Sequence, residues 1–237
     1  MKYREAFEIC VPQEKRRNAR TDYFAYYVGR PLSVLMTLPF INTRIKPTTV
    51  TIWSIIASII GAILVSLNIG LTYSIIGWLF FFLWNLLDGV DGNLARCTGQ
   101  CSKQGELWDA FGGYLALVLM FFSSGIAAFY DNNAIYILEP YYYLIIGGAT
   151  SVLAIFPRLL AQKKKAICGN ESVSGVMDKG NFGFVQIVAR NIESAAGFLQ
   201  VLLLFAIIFR MMNIFIILYF FVNVAMTIVG LRAVLRK

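Results

Sequence analysis

The chain has 237 residues, of which 58% are hydrophobic and only 14% are charged, and its mean hydropathy is +0.67. A soluble domain carries about 25% charged residues, so this composition excludes an ordinary soluble protein and indicates one that spans a membrane. The formal net charge is +8, and the chain contains no histidine, which excludes a Ser-His-Asp triad and histidine-ligated iron or zinc.

A basic leader of 46 residues precedes the first apolar segment. Within it, the stretch 14–20 carries four lysines and arginines, and aromatic residues follow at Tyr23, Phe24, Tyr26 and Tyr27. This pattern is typical of an amphipathic helix that lies in the membrane interface. We therefore expect residues 1–46 to form a cytoplasmic or interfacial leader with one amphipathic juxtamembrane helix. No signal peptide is expected, because the first apolar span begins only behind this leader.

Charge-free apolar runs follow the leader, and each can cross a hydrocarbon core that takes about 20 helical residues. The first run, 47–87, is long enough for two crossings with a turn at Asn68-Ile69-Gly70. Further runs occupy residues 110–130, 140–157 and 211–231. These runs predict five membrane-spanning helices.

A sixth span is predicted before the last one, although its charge-free run, 194–209, is short. We expect this span to begin between residues 182 and 188, so that it includes Arg190 and Glu193. The sequence thus predicts an all-α integral membrane protein with six transmembrane helices. It forms a single membrane-embedded domain, in which residues 47–237 are the six-span bundle.

The lysines and arginines fall almost entirely on one side of these spans. Of the 21 basic residues, Arg210 alone lies in a loop on the opposite side. Because basic residues are retained on the cytoplasmic side, we expect both termini to be cytoplasmic, in the inner membrane of a bacterium or archaeon. A basic membrane face fits anionic headgroups and nucleotide phosphates, and nucleic acid is not an expected partner.

The four cysteines, Cys10, Cys97, Cys101 and Cys168, map to segments expected on the cytoplasmic side or at its edge, where thiols stay reduced. The Cys97-x3-Cys101 pair has neither a second pair nor a histidine to complete a zinc site. Acid, base or metal chemistry in this chain therefore depends on its carboxylates and on hard cations.

Three aspartates mark the junction between the second and third spans. Asp88 and Asp91 are three residues apart and share a helix face, and Asp109 begins the third span. A connection over residues 93–104 is expected to bring the two helices side by side. Carboxylate oxygens suit Mg²⁺ or Mn²⁺, and Mg²⁺ takes its other ligands from water and substrate phosphate. The cluster predicts a divalent-metal site for a diphosphate substrate, with Arg96 placed to bind phosphate oxygens.

This stretch resembles the signature of the CDP-alcohol phosphotransferase family, D-x2-D-G-x2-A-R-x8-G-x3-D-x3-D. Seven of the eight fixed positions match without a gap: Asp88, Asp91, Gly92, Ala95, Arg96, Gly105 and Asp109. The segments 30–33 and 46–51 also resemble those that precede the family's first span. The resemblance implies attack by an acceptor on the β-phosphorus of a CDP-linked alcohol, with release of CMP.

The resemblance also implies roles for individual residues. Asp88, Asp91 and Asp109 would hold Mg²⁺ or Mn²⁺, and the cytidine diphosphate pocket would be lined by Thr51, Gly92, Ala95 and Gly105. Arg96 has two open roles, contact with the pocket's phosphate or support of the loop. A lipid or polyprenyl-phosphate-type acceptor and a homodimer are further implications.

Gly113 stands where the signature has its fourth aspartate. The resemblance implies that this aspartate helps to complete the metal site and is the base that deprotonates the acceptor. Three explanations are open. The acceptor is already anionic, as a polyprenyl or sugar phosphate is, and needs no base. In the second, Glu106, which lies one turn before Asp109 on the same helix face, acts as the base together with Asp109. Alternatively, the chain has lost transfer and is a nucleotide-binding, lipid-binding or transport-like protein. Arg158 and Arg190 are the basic residues expected to contact an anionic acceptor.

Overall fold

The computed structural model describes residues 2–11, 22–131, 137–168, 191–192, 194 and 197–235. Within these ranges the chain is helical and has no strand. Two helices lie in the leader, α1 (Tyr3–Cys10) and α2 (Arg30–Ile41), and a π-helical turn, Ala25–Gly29, leads into α2. The bundle consists of α3 (Pro47–Leu67), α4 (Leu71–Thr98), α5 (Lys103–Tyr130), α6 (Pro140–Cys168), α7 (Phe198–Ile208) and α8 (Met212–Leu235).

Five of these helices are long and apolar enough to cross a membrane, namely α3, α4, α5, α6 and α8. They correspond to the five spans predicted from the runs 47–87, 110–130, 140–157 and 211–231, and the prediction of a multi-pass integral membrane protein is confirmed to that extent. The turn between the first two spans is also where it was predicted. Asn68 adopts a left-handed conformation with φ of 45°, and α4 begins directly after Gly70.

The sixth span stays a prediction. Its described part is α7, which has 11 residues and is too short to cross a bilayer by itself. The residues at which the span was expected to begin, 182–188, lie outside the described part of the chain, as do Arg190 and Glu193.

The leader contains a helix that sequence analysis did not predict. Helix α2 begins with Arg30-Pro31, where proline is tolerated, and contains Pro39, which is unfavourable inside a helix. It nevertheless packs along α4 and against α1, and the buried residues that join these helices are Ala6, Cys10, Val11 and Val34. The basic stretch 14–20, on which the predicted amphipathic helix depended, lies outside the described residues.

Close helix crossings bring the bundle together. At Gly125 and Gly147, an added Cβ would lie 2.7–2.8 Å from backbone atoms of the facing helix, so α5 and α6 can touch only because both positions are glycine. Large buried side chains, Phe81, Phe121 and Tyr219 among them, fill the space next to this crossing. This packing fixes where the ends of α3, α4 and α5 meet.

The predicted connection over residues 93–104 is wrong. Helix α4 continues about two turns past Asp91, to Thr98, because Gly92 does not interrupt it and Leu94 is buried against the bundle. Gly99 ends the helix in a left-handed conformation with φ of 69°, and the Gln100 amide donates to the Ala95 carbonyl at 3.0 Å. Only residues 99–102 link α4 to α5.

Candidate active site

A cavity of about 550 Å³ opens where α3 begins, α4 ends and α5 begins. The predicted site residues that line it are Thr51, Asp88, Asp91, Gly92, Ala95, Arg96, Gly105, Glu106 and Asp109. All residues predicted to bind metal or cytidine diphosphate thus face one space, together with Glu106. They come from three consecutive helices, α3, α4 and α5, whose packing against one another forms the cavity.

Asp91 is tied to the neighbouring helix by a short hydrogen bond. The Thr51 hydroxyl of α3 donates to the Asp91 carboxylate of α4 at 2.5 Å. Both residues are buried, with Asp91 4% exposed and Thr51 2% exposed. This bond holds one carboxylate oxygen in a fixed direction at the cavity wall, and it couples the first span to the second.

Asp88 and Asp109 complete the group of carboxylates. Asp88 is half-buried, and Asp109 is exposed at the start of α5. The charge of Asp88 is repelled by those of Asp91 and Asp109, whereas the guanidinium of Arg96 attracts both Asp91 and Asp109. The site therefore concentrates four carboxylates, which the two basic residues that line the cavity, Arg96 and Lys103, offset only in part.

This donor set fits a hard divalent cation that keeps part of its own shell. In the described part of the chain, no three acidic or cysteine side chains come close enough together to hold one ion between them. The protein would therefore supply part of the coordination, leaving positions for water and substrate phosphate, which is how Mg²⁺ is usually bound. Asp88, Asp91 and Asp109 are the candidate ligands, and at most two of them would contact any one ion.

Arg96 lies over Gly92 with its guanidinium directed along the exposed side of α4. An added Cβ at Gly92 would be 3.4 Å from the guanidinium nitrogens, and one of these nitrogens donates to the Asn93 side-chain oxygen at 2.9 Å. Sequence reasoning missed Asn93. Its spacing of three residues from Arg96 could have indicated the contact, because residues three apart share a helix face.

The two glycines that follow in the signature differ in their surroundings. The Gly105 amide donates to the Ser102 hydroxyl at 3.0 Å, so Ser102 caps α5. Gly113 is half-buried about one turn beyond Asp109, it is not among the cavity's lining residues, and no atom beyond the local helix backbone lies within 4 Å of an added Cβ. A side chain could therefore occupy this position without a clash.

Of the two residues expected to contact the acceptor, the structure describes Arg158 alone. Arg158 lies in α6, and its charge interacts with Tyr114, the residue after Gly113. It is not a lining residue of the cavity. Arg190 is outside the described part of the chain. Both acceptor contacts stay predictions.

Two thiols lie together behind the cavity. The Cys10 and Cys97 sulfur atoms are 3.6 Å apart. Burial raises the pKa of the Cys10 thiol to about 12, the neighbouring Cys97 adds to the rise, and the charge of Arg96 opposes it. Cys101, by contrast, is exposed and lines the cavity.

A second cavity, of about 240 Å³, lies at the opposite ends of α3, α4 and α5. Its polar lining residues are Asn68, Ser74, Tyr130, Asp131 and Arg210. It contains one carboxylate and one basic side chain, whereas the first cavity contains four carboxylates from two helices.

The family model of the CDP-alcohol phosphatidyltransferases matches residues 44–231. The matched region contains α3 to α7, most of α8 and every carboxylate of the first cavity, and it leaves α1 and α2 outside. No curated protein sequence matches the chain.

Proposed function

The chain belongs to the CDP-alcohol phosphatidyltransferase family, and we propose that it transfers a phosphoalcohol group from a CDP-linked donor to an anionic acceptor in the membrane, releasing CMP. The observation that carries this proposal is the cavity in which Asp88, Asp91 and Asp109 meet Thr51 and Arg96. These residues supply the two things that a diphosphate donor needs, hard-cation ligands and a guanidinium for its oxygens.

In the proposed reaction, each group of the cavity has a separate task. Asp88, Asp91 and Asp109 hold Mg²⁺ or Mn²⁺, and Thr51 orients the Asp91 carboxylate. Gly92, Ala95 and Gly105 leave room for the cytidine diphosphate, whose phosphate oxygens Arg96 binds. The bound cation would neutralise diphosphate charge and stabilise the leaving phosphate.

An anionic acceptor is proposed because of Gly113. An ionised phosphate oxygen of the acceptor attacks the β-phosphorus, the bond from that phosphorus to the bridging oxygen breaks, and CMP leaves with the electron pair. No proton has to be removed from this nucleophile, so the reaction needs no base at position 113. Such acceptors are polyprenyl phosphates or sugar phosphates, with Arg158 and Arg190 as their basic contacts. A hydroxyl acceptor would instead need Asp109 or Glu106 as its base.

Gly113 also favours a second candidate function. A chain that keeps the cavity but lacks the base can bind a nucleotide or lipid without turnover, as a binding or transport-like membrane protein. The two candidates share the ligand and differ in whether CMP is released.

The arrangement in the membrane is part of the proposal. The basic residues favour a single domain whose termini and first cavity face the cytoplasm. Residues 1–46 form its leader and 47–237 its six-span bundle. Family membership supports a homodimer.

The test uses the full-length protein in lipid nanodiscs with a CDP-linked alcohol, Mg²⁺ and either a polyprenyl phosphate or a neutral alcohol as acceptor. CMP release is measured by chromatography, and donor binding by the thermal unfolding midpoint. We expect CMP release that requires the anionic acceptor and stops when EDTA removes the cation. Stabilisation by the donor without CMP release from any acceptor would support the second candidate. Neither stabilisation nor CMP release would contradict both.

A further inference from the structure

A chain of hydrogen bonds runs from the motif arginine into the leader. The Arg96 guanidinium donates to the Asn93 Oδ1 at 2.9 Å, the Asn93 Nδ2 donates to the Ser33 Oγ at 3.3 Å, and the Ser33 hydroxyl donates to the Arg30 carbonyl at 3.0 Å. Ser33 and Arg30 belong to α2, outside the region that the family model matches. The leader thus reaches the cavity through one side chain of α4.

The direction of these bonds is fixed by chemistry. A guanidinium can only donate, so the Asn93 amide must present its oxygen to Arg96 and its NH₂ group to Ser33. The Ser33 hydroxyl gives its single hydrogen to Arg30 and is left as an acceptor for Asn93. Each group therefore has one arrangement that satisfies its neighbours, which makes the chain of bonds a rigid support.

The supporting residues are buried, whereas the arginine that they hold is exposed. Asn93 and Ser33 are each 5% exposed, whereas Arg96 is exposed and lines the cavity. The approach of α2 depends on Gly89, where an added Cβ would be 2.8 Å from the Ser33 Cβ. Asn93 therefore lies between two closely packed helices and touches the one flexible side chain of this wall.

We propose that Asn93, oriented by Ser33, is a positioning residue that holds the Arg96 guanidinium for the donor's phosphate oxygens. This inference rests on the proposed function. An arginine side chain has four rotatable bonds, and fixing one of its nitrogens before the substrate arrives reduces the entropy lost on binding. The Cys10 thiol is also a hydrogen-bond partner of this guanidinium, and the N–H groups that neither Asn93 nor Cys10 takes stay available for phosphate.

The test measures the affinity of the full-length protein for CDP in the presence of Mg²⁺. Asn93→Leu keeps the size of the side chain and removes the acceptor, and we expect it to weaken CDP binding about 10-fold, as loss of one charge-assisted hydrogen bond would. Ser33→Ala removes the acceptor of the Asn93 NH₂ group, one hydrogen bond further from Arg96, and should weaken CDP binding about 3-fold. This variant replaces Asn93→Leu in the test if Asn93→Leu does not fold.

A double-mutant cycle separates positioning from a general structural role. If Asn93 acts through Arg96, then Asn93→Leu has no further effect on CDP affinity in an Arg96→Gln background. A merely structural role would give additive losses. Thr37→Val is the matched control, because the Thr37 hydroxyl is buried in the same helix as Ser33 and donates only to that helix's Ser33 carbonyl, at 2.7 Å. It should leave CDP affinity unchanged.

Two failures can be told apart. In the first, the parent protein binds CDP, but Asn93→Leu leaves the affinity unchanged or its loss adds to that of Arg96→Gln in the double mutant. This result overturns the positioning role and leaves the proposed function in place. A parent protein that does not bind CDP removes the proposed function, and the positioning role is overturned with it.

Discussion

The two cavities lie at opposite ends of α3, α4 and α5, which are about 30 to 40 Å long, and the second is lined also by Ile207, Arg210 and Met212. Both ends of the bundle therefore have a cavity, and the presence of a cavity does not by itself identify the active site. The difference is in the charges. One end brings together Asp88, Asp91 and Asp109, which repel one another, and the other end has a single carboxylate beside a single arginine. Like charges that folding places together, against their mutual repulsion, indicate a site for a cation and its ligand.

Hydrogen bonds at the two ends also serve different purposes. In the second cavity the Asn68 side chain donates to the Ala127 carbonyl at 3.4 Å, and the Ser74 hydroxyl donates to the Gly70 carbonyl at 3.4 Å. These bonds satisfy backbone groups near the helix ends. In the first cavity the Thr51 bond crosses between helices to a carboxylate instead. If this comparison is right, substitutions at the first end affect turnover and matched substitutions at the second do not.

The largest effect is expected from Asp91→Asn. The change keeps the size of the side chain and removes one negative charge from the cation ligands, so CMP release should fall at least about 100-fold. Glu139→Gln makes the same change of charge at the opposite end, on an exposed side chain, and should leave turnover unchanged. Turnover by Asp91→Asn within a few-fold of the parent, or an equal loss in both variants, would refute the assignment of the cation site.

Thr51→Val tests the bond that orients Asp91. Valine has the shape of threonine without the hydroxyl, so the buried carboxylate loses its donor, and we expect CMP release to fall about 10-fold. Ser58→Ala is the control on the same helix, because the Ser58 hydroxyl bonds only to the Ile55 carbonyl of that helix, at 2.8 Å. Equal rates for the two variants would show that the bond between helices has no role in the reaction.

Much of this end could be predicted from sequence because helical periodicity is local. Asp88 and Asp91 share a face at any orientation of α4, and the connection predicted over residues 93–104 was enough to expect Asp109 beside them, although its bounds were wrong. The apolar runs predicted five spans for a similar reason, since the length of a span is set by the bilayer. These expectations depend on residues close in sequence.

The missed features depend on tertiary contacts. Helix α2 contains two prolines and has a place only because α4 offers Gly89 and a buried face to pack against. Helix α4 runs past Gly92 because Leu94 is buried, which no local pattern shows. Asn93 could have been found from its spacing to Arg96, but Ser33 lies 60 residues away and only the packing of the helices brings it there.

Thiol labelling can test the ligand site without turnover. Cys101 is exposed in the first cavity, so bound CDP with Mg²⁺ should shield it from a maleimide. We expect its labelling rate to fall several-fold when most of the sites are occupied. Cys10 is the internal control. Its pKa of about 12 keeps it protonated at pH 7.5, and only pH values approaching 12 would supply the reactive thiolate, so it should label slowly with or without CDP. Rates are read for each cysteine by peptide mass spectrometry. Labelling of Cys101 that CDP does not slow would place the nucleotide elsewhere.

The smallest effect is expected from Gly113→Asp, and its smallness is informative. The position has open space around an added Cβ, so the carboxylate is accommodated without moving the helix. With a polyprenyl phosphate acceptor the nucleophile is already ionised, and an added base should change CMP release by no more than about twofold, whereas a reaction in need of a base would gain about 100-fold or more. Gly113→Asn controls for the size and polarity of the new side chain. A large gain confined to the aspartate variant would mean that the acceptor is a hydroxyl and that the parent chain lacks its base. Equal rates for the parent and both variants would instead support an acceptor that brings its own charge to the cavity.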